Sequence, residues 1–365
     1  MAPSGGAGLV AERQGSSVLA GREFGRSGVH LTELGLGTAA LGNLYQPLTD
    51  AEALSTVDEC WSQGVRYFDT APLYGFGLSE QRLGAALASR PRDEFVISCK
   101  VGRTLHRLDG DNLAPVRHGF VSALPYEARF DYSYDGIMRS FESSLRRLRV
   151  SSVDLLLIHD IGRLTHGDRH EEQLEILRSS GMRAVAELRE SGQVRALGLG
   201  CNEWEICDEA LDWGPIDGFL LAGRYTLIEQ SPLARFFPRC AQRGASVVLG
   251  GIFNSGILAT GTQSGAPLYY EYAPAPPQIV AKVSAIEQAC RRFQVPLGAA
   301  AVQFPLACPQ VAAIIPGARS PAEVLRFIEY RRWPIPVEVW GTLRRQGLID
   351  SAAPLPAEAG EGGAA

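Results

Sequence analysis

The sequence predicts a (β/α)8 TIM barrel of the α/β class, and three observations predict it. Short β-branched or aliphatic runs alternate eight times with amphipathic helical stretches, the signature of βα units around a parallel sheet. Polar residues close several of those runs, and a barrel gathers such strand ends around one mouth. With 365 residues and 45% hydrophobic content, the chain can also bury one large core. A doubly wound sheet shares the alternation, but eight regular units with polar strand ends favour closure.

The elements follow in order. Residues 1–16 are rich in Gly, Ala and Ser, and 351–365 in Ala, Pro, Gly and Glu, so both are expected to be disordered tails flanking a single barrel over 17–350. Two short runs in 17–30, split by Gly25-Arg26-Ser27-Gly28, read as a hairpin that closes the barrel bottom. Strands are expected at 34–37, 66–69, 95–100, 153–159, 194–198, 216–221, 246–249 and 312–315. Helices follow them, among them 51–63, 80–88, 135–149, 172–190 and 321–330, with Thr49, Ser79 and Ser320 as cap-like starts. The connections 101–134 and 250–277 are longer than ordinary loops, which suits the covering of a site. The first carries Arg103, His106, Arg107, Arg117, His118, Phe120, Tyr126 and Phe130, a supply of polar donors and aromatic walls for a substrate lid.

Charge narrows the partners. A net of -5 from 35 basic and 40 acidic residues lacks the basic excess of a nucleic-acid binder, so a small-molecule substrate is expected. No run reaches the ~18 apolar residues of a membrane span and no leader pattern opens the chain, so a cytoplasmic protein without membrane partners is expected. Seven cysteines without a CxxC pair argue for buried free thiols rather than disulfides or metal ligation. Oligomeric state is not legible.

The most informative stretch is Phe68-Asp69-Thr70-Ala71-Pro72-Leu73-Tyr74-Gly75-Phe76-Gly77-Leu78-Ser79-Glu80, which leaves the second strand. It resembles the aldo-keto reductase family, whose pattern Asp-Thr-Ala-x-x-Tyr-Gly-x-x-x-Ser-Glu it matches position for position. Ser98-Cys99-Lys100-Val101-Gly102 and Leu156-Leu157-Ile158-His159-Asp160 agree at the third and fourth strand ends. The resemblance implies a catalytic tetrad of Asp69, Tyr74, Lys100 and His159. The residue types suit the chemistry. Hydride transfer between a carbonyl and an alcohol needs a proton donor or acceptor. A phenol, which ordinarily titrates near 10, serves only if a cation such as Lys100 stabilises its phenolate. Asp69 would hold the ammonium, and His159 would donate to the substrate oxygen. Taken singly, each residue has a plain structural explanation; their joint order along the chain is what speaks for a site.

The resemblance further implies a nicotinamide cofactor. Ile315-Pro316-Gly317-Ala318-Arg319-Ser320 runs from the eighth strand into a helix, whose N-terminus suits a phosphate. The expected contacts are Gly37, Thr38 and Asp69 at the first two strand ends, Asn202 at the fifth, and Gly250, Gly251, Phe253, Gly256 and Leu258 in the seventh loop. Pro316, Gly317, Arg319 and Glu323 complete the set at the eighth. Several positions depart from the family pattern: Cys201 replaces a serine, Ala222 a glutamine, Gly250 the ring-stacking tyrosine and Phe327 an adenine-binding asparagine. Phe253 is the candidate for the missing stacking face. Arg319 as the sole cation, with Glu323 beside it, predicts NAD over NADP.

The departures resemble one branch of the family, bacterial 1-dehydrogenases of fucose, galactose and threo-aldoses together with pyridoxal 4-dehydrogenase. The branch is carried by the segments 130–135, 158–162, 200–204 and 253–258. Oxidation of an aldose at C1 to a lactone is therefore the leading expectation. Pyridoxal oxidation, a ketone or aldehyde reductase of secondary metabolism, and a nucleotide-sensing regulatory subunit stand as alternatives.

Overall fold

A computed structural model describes residues 19–109 and 113–356. Eight parallel strands form one curled sheet: β1 (Leu36–Gly37), β2 (Tyr67–Asp69), β3 (Val96–Val101), β4 (Val153–His159), β5 (Val194–Cys201), β6 (Gly218–Ala222), β7 (Ser246–Gly250) and β8 (Val311–Ile314). They neighbour one another in sequence order. The sheet closes on itself, because Gly35 N donates to Ile314 O at 2.9 Å, Ile314 N to Glu33 O at 2.9 Å and Gly37 N to Pro316 O at 3.1 Å. The expected (β/α)8 barrel is the fold.

Period-two alternation decides what fills the interior. Tyr67, Leu155, Leu157, Ala196, Leu220, Val248 and Ala312 point inward and pack as one cluster with Phe24, Val29 and Leu31. Those last three belong to the antiparallel hairpin of Gly21–Glu23 and His30–Thr32, which plugs the N-terminal end of the barrel. One alternation step further along the strands, the same inward face presents Asp69, Lys100 and His159 at the opposite end.

The helices coat the outside: α1 (Asp50–Ser62), α2 (Leu78–Leu87), α3 (Tyr134–Leu148), α4 (Met182–Glu190), α5 (Trp204–Ala210), α6 (Phe236–Arg243), α7 (Pro277–Arg292), α8 (Leu297–Leu306), α9 (Pro321–Arg332) and α10 (Val337–Arg345). The helix expected at 172–190 begins at His170 and passes through a π turn, Leu177–Gly181, before α4. Thr49 caps α1 through a reciprocal box with Glu52, and Ser320 caps α9. Ser79 is no cap. It lies one residue inside α2, fully buried, with its hydroxyl donating to Thr38 O at 2.8 Å and lying 3.1 Å from Thr70 Oγ1.

The long 101–134 connection is a built ribbon. Arg103–Arg107 pairs with Tyr126–Phe130, and Val116–Arg117 pairs with Phe120–Val121. The second long connection, after β7, carries a turn of helix at Ile257–Thr260 and a small pair of strands at Tyr269–Tyr270 and Ala273–Pro274. All seven cysteines are buried and free. The tail expected at 1–16 lies outside the described residues, as does 357–365. Within the described part of the expected 351–365 tail, Ala353 is buried and its carbonyl accepts from Arg344 Nη2 at 2.6 Å, while Ser351 and Ala352 are exposed.

The first βα loop presses on the second. A Cβ at Gly42 would lie 2.6 Å from the carbonyl carbon of Tyr74 and 2.7 Å from Gly75 N, backbone atoms that cannot rotate away. Gly42→Ala should therefore destabilise the fold by about 1–3 kcal/mol, as overpacking does, and lower activity by displacing Tyr74. Urea unfolding and steady-state rates check this; a variant with unchanged midpoint and rate contradicts the packing.

Candidate active site

Lys100, near the end of β3, is the centre of the site. Its ammonium uses all three donors: 2.6 Å to Asp69 Oδ2, 3.0 Å to Thr70 O and 3.2 Å to Tyr74 Oη. Asp69 is fixed from its other side by Ser98 Oγ at 2.7 Å, and Ser98 in turn lies 3.0 Å from Tyr67 Oη. Ser98 and Tyr67 hold no place among the sequence-derived site residues. Alternation could have found them, since each stands two residues before a tetrad member on the same inward face. Gly200 gives the lysine room, because a Cβ there would lie 3.3 Å from Lys100 Cε.

Tyr74 reaches the mouth from a loop of unusual backbone. Gly75, Phe76 and Gly77 all have positive φ, 64°, 55° and 99°. For Phe76 that costs about 1–2 kcal/mol, which its buried ring offsets by packing edge-on against His118 and Phe120 at 6.0 and 6.2 Å. Phe120 also lies 6.2 Å from the Tyr74 ring, so the 101–134 ribbon supplies one wall of the site. On the other side, the His159 ring stands perpendicular to that of Tyr74 at 6.4 Å. The structure thus brings Asp69, Tyr74, Lys100 and His159 together from three strands and one loop.

Electrostatics set the protonation states. Burial opposes charge on Lys100, yet the Asp69 carboxylate and the Tyr74 oxygen outweigh it and hold the ammonium above its ordinary value. Burial pushes the Tyr74 phenol up to about 12, with Lys100 opposing that rise and Asp69 and Asp160 adding to it. The lysine lowers the phenol as the sequence implies, but burial outweighs it. Burial also brings His159 down to about 3, against the pull of Asp160, so the imidazole is neutral at physiological pH.

The expected cofactor contacts divide into those that line the mouth and those that shape it. Thr38 is fully buried and donates to Asp69 O at 2.8 Å, so its hydroxyl is engaged in joining the first two loops. Gly256 N and Leu258 N both donate to Phe253 O, at 3.0 and 3.1 Å, and the Leu258 side chain is in the core; these two form the turn. Phe253 packs on Phe327 at 5.5 Å, which places it with the eighth-strand helix. Pro316 O receives the Gly37 N–H, so this pair closes the barrel, leaving Gly317 exposed at the loop crest. Arg319 is held by Glu323, with N–H to Oε2 at 2.9 Å and guanidinium to Oε1 at 3.0 Å, and by Gln46 at 2.8 Å.

These features fit a dinucleotide. Gly250 leaves space above β7, where a Cβ would approach nothing closer than 3.5 Å, and Gly251 is exposed beside it. Asn254 Oδ1 is buried without a hydrogen-bond partner among the described residues, an acceptor waiting for an amide. Asn202, partly exposed at the end of β5, and the N-terminus of α9 supply further donors.

Comparison with known proteins is consistent along the whole chain. Residues 33–346 match the model of the aldo/keto reductase family. Pyridoxal 4-dehydrogenase of Microbacterium luteolum is 44% identical over 336 residues, 90% of this chain and 97% of that protein. D-threo-aldose 1-dehydrogenase of a Pseudomonas species is 36% identical over 331 residues, 88% of this chain and 96% of that protein. Among solved structures, a Bacillus halodurans aldo-keto reductase in its holo form superposes with a TM-score of 0.69 at 26% identity, covering 91% of this chain and 97% of the other.

Two outcomes are expected of the tetrad's electrostatics. Lys100→Met removes the group that opposes the rise of the phenol, so oxidation at neutral pH should fall by about 10²–10⁴-fold. With the phenolate as the expected base, its fraction grows tenfold per pH unit below its pKa, and the variant should recover rate toward alkaline pH. His159, neutral down to about 3, should add no acid limb between about pH 5 and 8. Rate profiles from pH 5 to 10 for both enzymes check this; a wild-type limb near pH 6.5 abolished by His159→Gln contradicts it.

Proposed function

The chain belongs to the aldo/keto reductase family, and on that premise we propose that it is a cytoplasmic NAD-dependent dehydrogenase that oxidises the hydroxyl of a cyclic hemiacetal to a lactone. The observation that carries the reading is the Lys100 ammonium, joined at once to Asp69 at 2.6 Å and Tyr74 at 3.2 Å beside a neutral imidazole. The family uses NAD or NADP, which the loops after β5, β7 and β8 would hold and which would supply the hydride acceptor. Tyr74 takes the hydroxyl proton, Lys100 stabilises the phenolate that does so, and Asp69 with Ser98 keeps the lysine in place. His159 donates to the substrate oxygen as negative charge develops there.

An aldose oxidised at C1 fits a mouth in which Arg103, Asp160 and Asn202 offer polar partners beside the apolar wall of Phe120. Pyridoxal is the second reading, favoured by the 44% identity to a pyridoxal 4-dehydrogenase and by the flat ring that Phe120 and Phe130 would accept. Both substrates close into hemiacetals, so one base and one donor serve either. Seven buried, unpaired thiols suit a reducing compartment.

The preference for NAD rests on Glu323. Its carboxylate accepts the Arg319 N–H at 2.9 Å just ahead of α9 and binds the Arg319 guanidinium at 3.0 Å, so a 2′-phosphate would meet a negative charge and an occupied guanidinium. Specificity constants with aldoses and pyridoxal, each with NAD and NADP, should show lactone formation and a clear advantage for NAD. A preference for NADP, or turnover restricted to simple ketones, contradicts this reading.

A further inference from the structure

Asp160 follows His159 directly and takes a left-handed backbone, φ 53°. That conformation is uncommon for a residue other than glycine, though Asp tolerates it. It is pinned on both sides: Asp160 N donates to Gly200 O at 2.9 Å, and Tyr132 Oη donates to Asp160 O at 3.1 Å. The turn delivers the carboxylate to the site rather than to the outer surface. Oδ2 accepts from Arg103 Nη2 at 2.6 Å and stands 3.4 Å from His159 Nε2, and the side chain is only 18% exposed.

Arg103 is itself positioned. Its guanidinium lies 4.0 Å over the Phe130 ring, and Phe130 packs on His166 at 4.5 Å. All of these interactions converge on Oδ2. Among the described residues no hydrogen bond or ion pair reaches Oδ1, although a carboxylate offers acceptor sites on both oxygens. Beside it stands His159, whose Nδ1 is buried without a partner among the described residues. A carboxylate 3.4 Å from Nε2 favours the tautomer with its proton on Nε2, the nitrogen that faces Asp160, and is too distant to hold that proton strongly.

We propose that Asp160 is a specificity-determining residue: Oδ1 accepts a hydrogen bond from a hydroxyl on the carbon next to the reacting carbon, while Oδ2 keeps the His159 donor tautomer. This rests on the dehydrogenase reading above and names its substrate class, neutral compounds carrying a hydroxyl beside the reacting carbon. Oδ1, open to water in the part-exposed side chain, would be covered by a bound substrate; an analogue without the hydroxyl would strip that water and give no partner in return, and an anionic group at that position would be repelled.

The test compares two substrate pairs in wild type and Asp160→Asn: an aldose against its 2-deoxy counterpart in oxidation with NAD, and 2-hydroxypropanal against propanal in reduction with NADH. Asn keeps the shape and tolerates the left-handed backbone. The wild type should favour the hydroxylated member by at least about tenfold, and in Asp160→Asn that ratio should collapse toward one with NAD affinity and melting temperature held. Equal losses for both members of a pair, leaving the ratio unchanged, would reduce Asp160 to a structural partner of Arg103 and overturn the assignment. Should Asp160→Asn not fold, Asp160→Gly suits the left-handed backbone and removes the carboxylate, and an unchanged ratio there also overturns it. Inert aldoses with a responsive propanal pair would sink the hemiacetal reading and keep Asp160's role; active aldoses with a flat ratio would do the reverse.

Discussion

A lysine ammonium and an aspartate carboxylate held 2.6 Å apart inside a barrel constrain everything around them. Taking two charges out of water is costly, and such a pair contributes little net stability, while removing one partner costs roughly 3–5 kcal/mol. The surroundings answer that cost. Ser98 and Thr70 O satisfy what the pair leaves open, Gly200 makes room for the lysine chain, and the third ammonium donor is aimed at Tyr74. The barrel end carrying the pair is the one the hairpin leaves open, since Phe24, Val29 and Leu31 fill the other. Stability is thus supplied by the plugged interior and chemistry by the open end, on the same inward face of the same strands.

Much of this was legible in the chain. The strand expected at 153–159 is β4 to the residue, because five residues of Val, Leu and Ile, interrupted only by Asp154 and closed by His159, read as a buried strand. The fifth strand runs on from the expected end at 198 to Cys201, as Gly198 and Gly200 carry no β-branched signal although they are needed beside a packed neighbour. Ser79 resembles a helix cap in sequence but is recruited by Thr38 and Thr70, a tertiary demand that local propensity does not register. The tetrad could be placed because its members terminate strands. The Arg103–Asp160 pair could not, since 57 residues separate its members and only the barrel mouth joins them.

The cofactor grip shows the same division. Arg319 in the loop and Glu323 in the first turn of the following helix were readable as neighbours, and they do bind one another. Which backbone donors remain for a ligand was not readable, because it depends on how the seventh loop folds: Gly256 and Leu258 turn out to donate to Phe253 O, whereas Asn254, with its Oδ1 unpartnered among the described residues, had no assigned role. Phe253, the candidate stacking face, packs on Phe327, the residue that departs from the adenine-binding asparagine, so the seventh loop and α9 meet in one aromatic contact. Loops tied down by their own hydrogen bonds present a largely preformed site.

The central claim is that the Tyr74 hydroxyl, tuned by Lys100, moves the substrate proton. Tyr74→Phe tests it most directly, since one oxygen is removed from a ring that Phe120 and His159 still hold in place. The account predicts a loss of at least about 10³-fold in kcat/KM for oxidation, with the dissociation constant for NAD within a few-fold of wild type. Turnover within about tenfold of wild type in that variant would contradict the account and assign the proton to another group.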